Sequence, residues 1–280
     1  MQRALVQLRH WGLKDLARYG ICLISRRINR SRLRFPFAIL VEVTNDCMLG
    51  CVMCPRSESR KNTGYMLFDQ FKKIIDECSS RQSLGYLILS GMGEPLLHPQ
   101  LIEMSKFAKS KGIPRIRLIT NAILLTRQKT AEILEDSGLD EISFSLDATT
   151  EQTYQQIKNR TSFQMVQENI SYFLDQKKKG WKPFVSLHIL KMRETASEIS
   201  DFVKKWSPSL GKGDHILVKD VHTFAGQVED RRLEEQIYTG ERFPCRQLWE
   251  FLYVSWDGDV MPCCMDVFKK LKVGNLHKSS

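Results

Sequence analysis

The chain has 280 residues and a formal net charge of +10, from 42 Lys+Arg against 32 Asp+Glu, with 42% hydrophobic residues. That apolar share suffices for a packed core and excludes global disorder, and the length fits one large domain or one domain with a small appendage. No apolar run reaches the roughly 18 residues of a spanning helix, and the opening residues lack the apolar stretch and small-residue cleavage site of a secretory signal.

The charge is unevenly spread. Residues 1–37 carry Arg3, Arg9, Lys14, Arg18, Arg26, Arg27, Arg30, Arg32 and Arg34 against Asp15 alone, a local charge of +8. The other residues hold 33 basic and 31 acidic side chains, so the body is nearly neutral. Nucleic acid is therefore not the expected partner of the body. Within residues 1–30 the basic residues flank Leu5, Leu8, Trp11, Leu13, Leu16, Tyr19, Ile21, Leu23, Ile24 and Ile28. This broad apolar face predicts an amphipathic helical arm, closed at Pro36. Two fates fit it equally: contact with an anionic membrane surface through residues 1–34, or packing against the body.

After Pro36 strands and helices alternate. Ala38–Val43 is a continuous apolar run of strand character, and Phe68–Cys78 has helical spacing. Tyr86–Ser90 predicts a second strand and Leu101–Lys111 a helix ended at Gly112. Ile116–Thr120, helix Arg127–Ser137 and strand Glu141–Leu146 follow. Helices are expected over Thr150–Lys158 and Phe163–Lys179, then strand Val185–Leu190, helix Ser197–Trp206 and strand His215–Lys219. This rhythm predicts parallel pairing through βαβ crossovers, with the active site at the C-terminal ends of the strands. From about Gly226 the rhythm stops. Leu252–Ser255 and Val260–Pro262 bracket Asp257-Gly258, a strong hairpin signal. The expected division is an arm over 1–37, an α/β core over 38–225 and a C-terminal region over 226–280.

Eight cysteines are present, and six fall in two groups. Without a signal peptide, such grouping points to metal or cluster ligation in a reducing compartment rather than to disulfides. Cys47, Cys51 and Cys54 follow the first strand directly, spaced C-x3-C-x2-C. Thiolates select zinc or iron–sulfur clusters. A structural zinc wants four ligands, typically two C-x2-C pairs. Three thiols on a loop at the functional end of the sheet would instead leave one iron of a four-iron cluster open. Cys22, in the arm, and Cys78, at a helix end, are expected to be spectators.

Here the chain resembles the radical S-adenosylmethionine (SAM) superfamily, whose hallmark is C-x3-C-x2-C after a first strand. The resemblance implies a partial (β/α)6 barrel, a [4Fe–4S] cluster held by Cys47, Cys51 and Cys54, and SAM chelated at the open iron. Reduction of the cluster would cleave SAM to a 5′-deoxyadenosyl radical. An external donor of flavodoxin or ferredoxin type would supply the electron. Gly91-Met92-Gly93-Glu94 ends the second strand where the family has its "GGE" element, with Met92 in place of a glycine. The resemblance implies that this element meets the SAM amino group. Asn121, after the third strand, and Ser145 and Asp147, at the end of the fourth, are implied to reach the SAM ribose and carboxylate. Read alone, these residue types also make turns and helix caps, and both readings stay open. His188 on the fifth strand and Lys219, Asp220 and His222 around the end of the sixth are placed to face the interior. A lone strand His is more often a core residue. Lys219 could orient an acidic or hydroxylated substrate, or be a solvated rim charge.

Cys245, Gly258, Cys263 and Cys264 follow the pattern C-x12-G-x4-C-C. With Val273-Gly274-Asn275-Leu276 they resemble the opening half of the SPASM and twitch auxiliary-cluster domains. The further cysteines of those domains do not follow before Ser280. Three readings stay open: a second Fe–S cluster with an open or non-Cys ligand, a hairpin without a cluster, or a shortened form of a longer protein. The resulting expectation is a cytoplasmic radical SAM enzyme acting on a peptide or a sugar- or cyclitol-type small molecule. The competing expectation is a non-catalytic Fe–S or zinc protein that binds a membrane or nucleic acid through its basic arm.

Overall fold

The computed structural model describes residues 35–56, 62–81, 84–177, 182–233, 245 and 247–277. The expected arm over 1–34, and Cys22 with it, lies outside the described residues. Among the described residues no helix is long and apolar enough to cross a membrane.

Six parallel strands form the core: β1 (Ala38–Val41), β2 (Tyr86–Leu89), β3 (Ile116–Thr120), β4 (Glu141–Ser145), β5 (Phe184–Lys191) and β6 (His215–Asp220). They lie side by side in chain order, as the α/β reading requires. The connecting helices are α1 (Phe68–Ser79), α2 (Leu101–Ser110), α3 (Arg127–Asp136), the pair α4 (Glu151–Lys158) and α5 (Phe163–Lys177), and α6 (Ile199–Trp206). The expected helix over Ser197–Trp206 begins instead with a 3-10 turn at Ala196–Glu198. Glu198 there accepts hydrogen bonds from Thr149, Thr150 and Thr153, which anchors the β4–α4 loop.

Successive strand residues point to opposite faces of a sheet, so each face has its own composition. One face carries Val41, Leu89, Leu118, Phe144 and Leu187, all fully buried beneath the helices. Phe71, Ile74, Ile75 and Cys78 of α1 pack in this core. Burial pushes the Cys78 thiol up to about 12, which suits an inert packing group. The other face carries Tyr86, Arg117, Glu141, Ser143, Ser145, Ser186, His188 and Lys219, aligned by the strand registers. Arg117, Glu141, Ser145 and Lys219 there are only half-buried. The polar face is thus the open one.

The C-terminal hairpin forms as Asp257-Gly258 suggests. β7 (Phe251–Val254) pairs antiparallel with β8 (Asp259–Met261), and Gly258 takes a φ of 83° in the turn. Lys269 clamps the turn through Asp257 and Asp259. The hairpin does not stand apart. β7 pairs in parallel with β1 along its whole length, and β8 pairs with the two-residue β9 (Gly274–Asn275). The nine-stranded order is therefore β6-β5-β4-β3-β2-β1-β7-β8-β9. Leu40, Tyr253 and Met261 form a small apolar cluster across this seam.

Candidate active site

The loop after β1 carries Cys47, Cys51 and Cys54, each half-buried. Its backbone is clamped from two directions. Gly50 and Val52 donate their N–H groups to the carbonyls of Lys158 and Ile157, at 3.3 and 2.9 Å. Those carbonyls belong to the last turn of α4, where helix acceptors lack internal partners. From the other side Arg56 donates to the Asn45 and Leu49 carbonyls and pairs with Asp46 at 3.0 Å. Burial raises all three thiols above the usual cysteine range; Glu94 adds to the effect at Cys47, and Cys47 adds to it at Cys54. Only a strongly bound soft metal would take thiols so held as thiolates. Among the described residues no three His, Cys, Asp or Glu side chains converge on one metal ion. Three thiols on one clamped loop are a soft donor set of the kind that zinc and iron–sulfur clusters both take.

The β2 end lies against this loop. A Cβ on Gly93 would sit 2.1 Å from the Thr44 carbonyl oxygen, and one on Gly91 2.5 Å from the Glu42 carboxylate. These glycines therefore let the β2 loop touch the cysteine loop. Glu94 donates its N–H to the Asp46 carbonyl at 2.7 Å. Its buried carboxylate accepts from Leu96 N–H, Thr120 Oγ1 and Asn121 N–H at 3.0, 2.6 and 2.7 Å. Burial nevertheless holds its pKa above the usual carboxylate value. Glu94 thus ties the ends of β2 and β3 together. Asn121 points its amide at sulfur: Nδ2 lies 3.8 Å from Cys47 Sγ and 3.4 Å from Met48 Sδ.

Asp147 follows β4 with a φ of 63° and is buried. One oxygen accepts from Lys158 Nζ at 2.5 Å and the other from Leu190 N–H at 3.1 Å. Burial opposes the Lys158 charge, but Asp147 and Cys51 outweigh it and raise its pKa. Ser145 is half-buried on the open face, and its hydroxyl has no hydrogen-bond partner among the described residues. His188 is buried beside Lys219 on the same face, Asp220 is half-buried at the end of β6, and His222 is exposed beyond it.

Two residues of this centre escaped the sequence reading. Glu42 is buried just past β1 and accepts from Met92 N–H at 2.7 Å and from Tyr253 Oη at 2.6 Å. Burial raises its pKa. The signal was a carboxylate inside the apolar run Leu40-Val41-Glu42-Val43. Lys158 is the other; it lies four residues after Tyr154 and so shares its apolar helix face.

In the C-terminal region the Cys264 thiol donates to Cys263. This lowers the Cys263 pKa below the usual cysteine range and raises that of Cys264, to which burial adds. Cys245, exposed, acts electrostatically on Cys264, so the three sulfurs share one neighbourhood.

The radical SAM superfamily model matches residues 41–205. The SPASM model, an iron–sulfur cluster-binding domain, matches residues 245–280. The chain is 33% identical over 109 residues to the tungsten-containing aldehyde ferredoxin oxidoreductase cofactor-modifying protein of Pyrococcus furiosus, covering 39% of this chain and 30% of that one. It is 33% identical over 132 residues to the PqqA peptide cyclase of Bradyrhizobium diazoefficiens, covering 46% of this chain and 33% of that one. The matched stretch is thus about a third of each relative. In fold it resembles Streptococcus suis SuiB bound to its precursor peptide SuiA, with a TM-score of 0.72 at 13% identity over 95% of this chain and 67% of that one. A partial parallel sheet, a three-thiol loop at its C-terminal end and a family match over more than half of the length agree: the chain belongs to the radical SAM superfamily and carries a segment of the SPASM cluster-binding kind.

Proposed function

We propose that this chain cleaves SAM reductively and directs the resulting radical at a C–H bond of a peptide or of a sugar- or cyclitol-type small molecule. The observation that carries the reading is the clamped loop of Cys47, Cys51 and Cys54, set against the Gly91–Glu94 element and Asn121. Cys47, Cys51 and Cys54 would hold three irons of a [4Fe–4S] cluster and leave the fourth to SAM. When bound, that cluster supplies the electron that splits SAM into methionine and the 5′-deoxyadenosyl radical. An external flavodoxin- or ferredoxin-like protein is the electron donor in this reading.

The chain's own residues bind and orient. An ionised carboxylate offers about four lone-pair sites. Glu94 uses three of them internally, which leaves one for the SAM ammonium. Asn121 donates toward the Cys47 sulfur and so favours its thiolate. Ser145 offers an unengaged hydroxyl to the SAM ribose. Asp147 keeps Lys158 charged beneath Cys51, which stabilises negative charge on the cluster side of the loop. Residues 38–225 form the catalytic core in this reading. Cys245, Cys263 and Cys264 are the thiols available to a second cluster. The 33% identity to the PqqA peptide cyclase over 132 residues supports the peptide class of substrate.

Anaerobic reconstitution with iron and sulfide tests the reading. The expected result is a brown protein whose colour requires Cys47, Cys51 and Cys54, and which forms 5′-deoxyadenosine from SAM under dithionite. A colourless protein with stoichiometric zinc would sink it.

A further inference from the structure

We propose that Lys219, held in place by His188, is the anchor for an anionic group, a carboxylate or a phosphate, that enters the open face of the sheet. The proposal rests on the radical SAM reading and deepens it by naming the charge of the ligand. Strand register sets the geometry. Ser145, His188 and Leu217 form one row across β4, β5 and β6, and Lys219 lies one step nearer the C-terminal ends, opposite Leu190. Lys219 therefore faces the same space as Ser145, at the end of the sheet where the cysteine loop lies.

His188 fixes the ammonium. Its Nδ1 lies 3.1 Å from Lys219 Nζ and its Nε2 3.0 Å from Ser186 Oγ. An ammonium only donates, so Nδ1 must accept, and the ring proton sits on Nε2 and goes to Ser186. The imidazole is thus neutral; burial first, and then the Lys219 charge, depress its pKa well below the usual value. Lys219 has no carboxylate within ion-pair distance among the described residues, and two of its three N–H groups remain unengaged.

The acids nearby are already taken. Asp147, the carboxylate that acts on Lys219 from a distance, is closed by Lys158 and Leu190. Glu141, on the same face, is closed by Arg117, Arg115 and Tyr86. Among the Arg, Lys, Asp and Glu side chains that β3 to β6 themselves place on this face, Arg117 and Lys219 stand against Glu141, a local excess of positive charge. Burial and Arg117 lower the Lys219 pKa to about 8. An ammonium drawn partly out of water without a counter-ion is costly, and an incoming anion removes that cost. A solvated rim lysine would show neither the imidazole contact nor the partial burial.

The anion can come from the substrate or from the methionine carboxylate of SAM, and the test separates them. Equilibrium dialysis would measure SAM binding to the reconstituted holoprotein, and inorganic phosphate binding to the SAM-loaded holoprotein. Lys219→Met is expected to weaken one of the two by at least about ten-fold, the scale of one charged hydrogen bond. Lys219→Arg is expected to restore most of the loss. Weakened SAM binding assigns the anion to SAM; weakened phosphate binding alone assigns it to the substrate. His188→Phe is expected to weaken the same ligand and leave the other unchanged. Unchanged affinity for both ligands in Lys219→Met overturns the proposal, and Lys219→Gln repeats the measurement if that variant does not fold. Reductive SAM cleavage by the wild-type protein is scored separately, so failure of the radical reading is distinguishable from failure of the anchor.

Discussion

Asp147 and Lys158 show how a single pair can hold a cofactor loop. Both side chains are only 4% exposed, and their charges meet at 2.5 Å. Removing one partner from a buried pair leaves an uncompensated charge, whereas replacing both is often nearly neutral. Asp147→Asn is therefore expected to destabilise the holoprotein by about 3–5 kcal/mol in urea unfolding. The loss should extend to cluster retention, because the Lys158 carbonyl carries Gly50 of the cysteine loop. The double variant Asp147→Asn with Lys158→Met should recover much of that stability. A single variant as stable as wild type would show that the pair is open to water. The backbone adds to the argument. Asp147 and Ala122 both take a φ of 63° just past their strands. Asp tolerates that conformation, whereas an alanine there is strained and is held by its surroundings.

At the scale of elements, the site is a seam between the β1 loop and the β2 end. Gly93 is the narrowest point, because its Cβ position is filled by the carbonyls of Thr44 and Asp46. Gly93→Ala must push the two loops apart. Overpacking of this kind costs about 1–3 kcal/mol, and here the displaced segments carry the cysteines and Glu94. The expected outcome is a folded protein with reduced iron content after reconstitution and weaker SAM binding. Full iron loading in that variant would show that the seam yields without disturbing the loop. This seam was only partly legible in the sequence. The βα rhythm and the C-x3-C-x2-C spacing are local patterns, so they survive reading residue by residue. The partners of Glu94 are not local: Thr120 lies 26 residues away, on the next strand. The family resemblance implies that Glu94 meets a ligand, and only the fold shows that three protein donors converge on it. Glu42 was missed for the same reason, since its partner Tyr253 lies 211 residues further on.

At the scale of the whole molecule, the question is whether the C-terminal region can be separated from the core. Its turn was legible because Asp257-Gly258 is a local signal. Its placement was not, because the choice of a sheet edge depends on which strand lacks a neighbour. β1 borders β2 on one side only, and β7 fills the other side through four registered residues. Glu42 then bridges the join, with Met92 of the β2 loop and Tyr253 of β7 on one carboxylate. Trp256 packs onto Gly64, in the segment that follows the cysteine loop, where a Cβ would sit 2.1 Å from its ring. Deleting residues 245–280 would therefore remove more than a second set of thiols. It would expose the β1 edge, an open template for association, and leave the Glu42 carboxylate buried without its tyrosine donor. The truncated chain is expected to aggregate or melt well below the full chain, and to lose SAM cleavage with its stability. The triple variant Cys245→Ala, Cys263→Ala, Cys264→Ala isolates the thiols instead. It should keep the melting temperature of the apoprotein and the first cluster, because β7 still completes the sheet. If the truncated chain stays monomeric and cleaves SAM as the full chain does, β7 is an ornament on a self-sufficient core and the nine-stranded sheet is not the unit of stability.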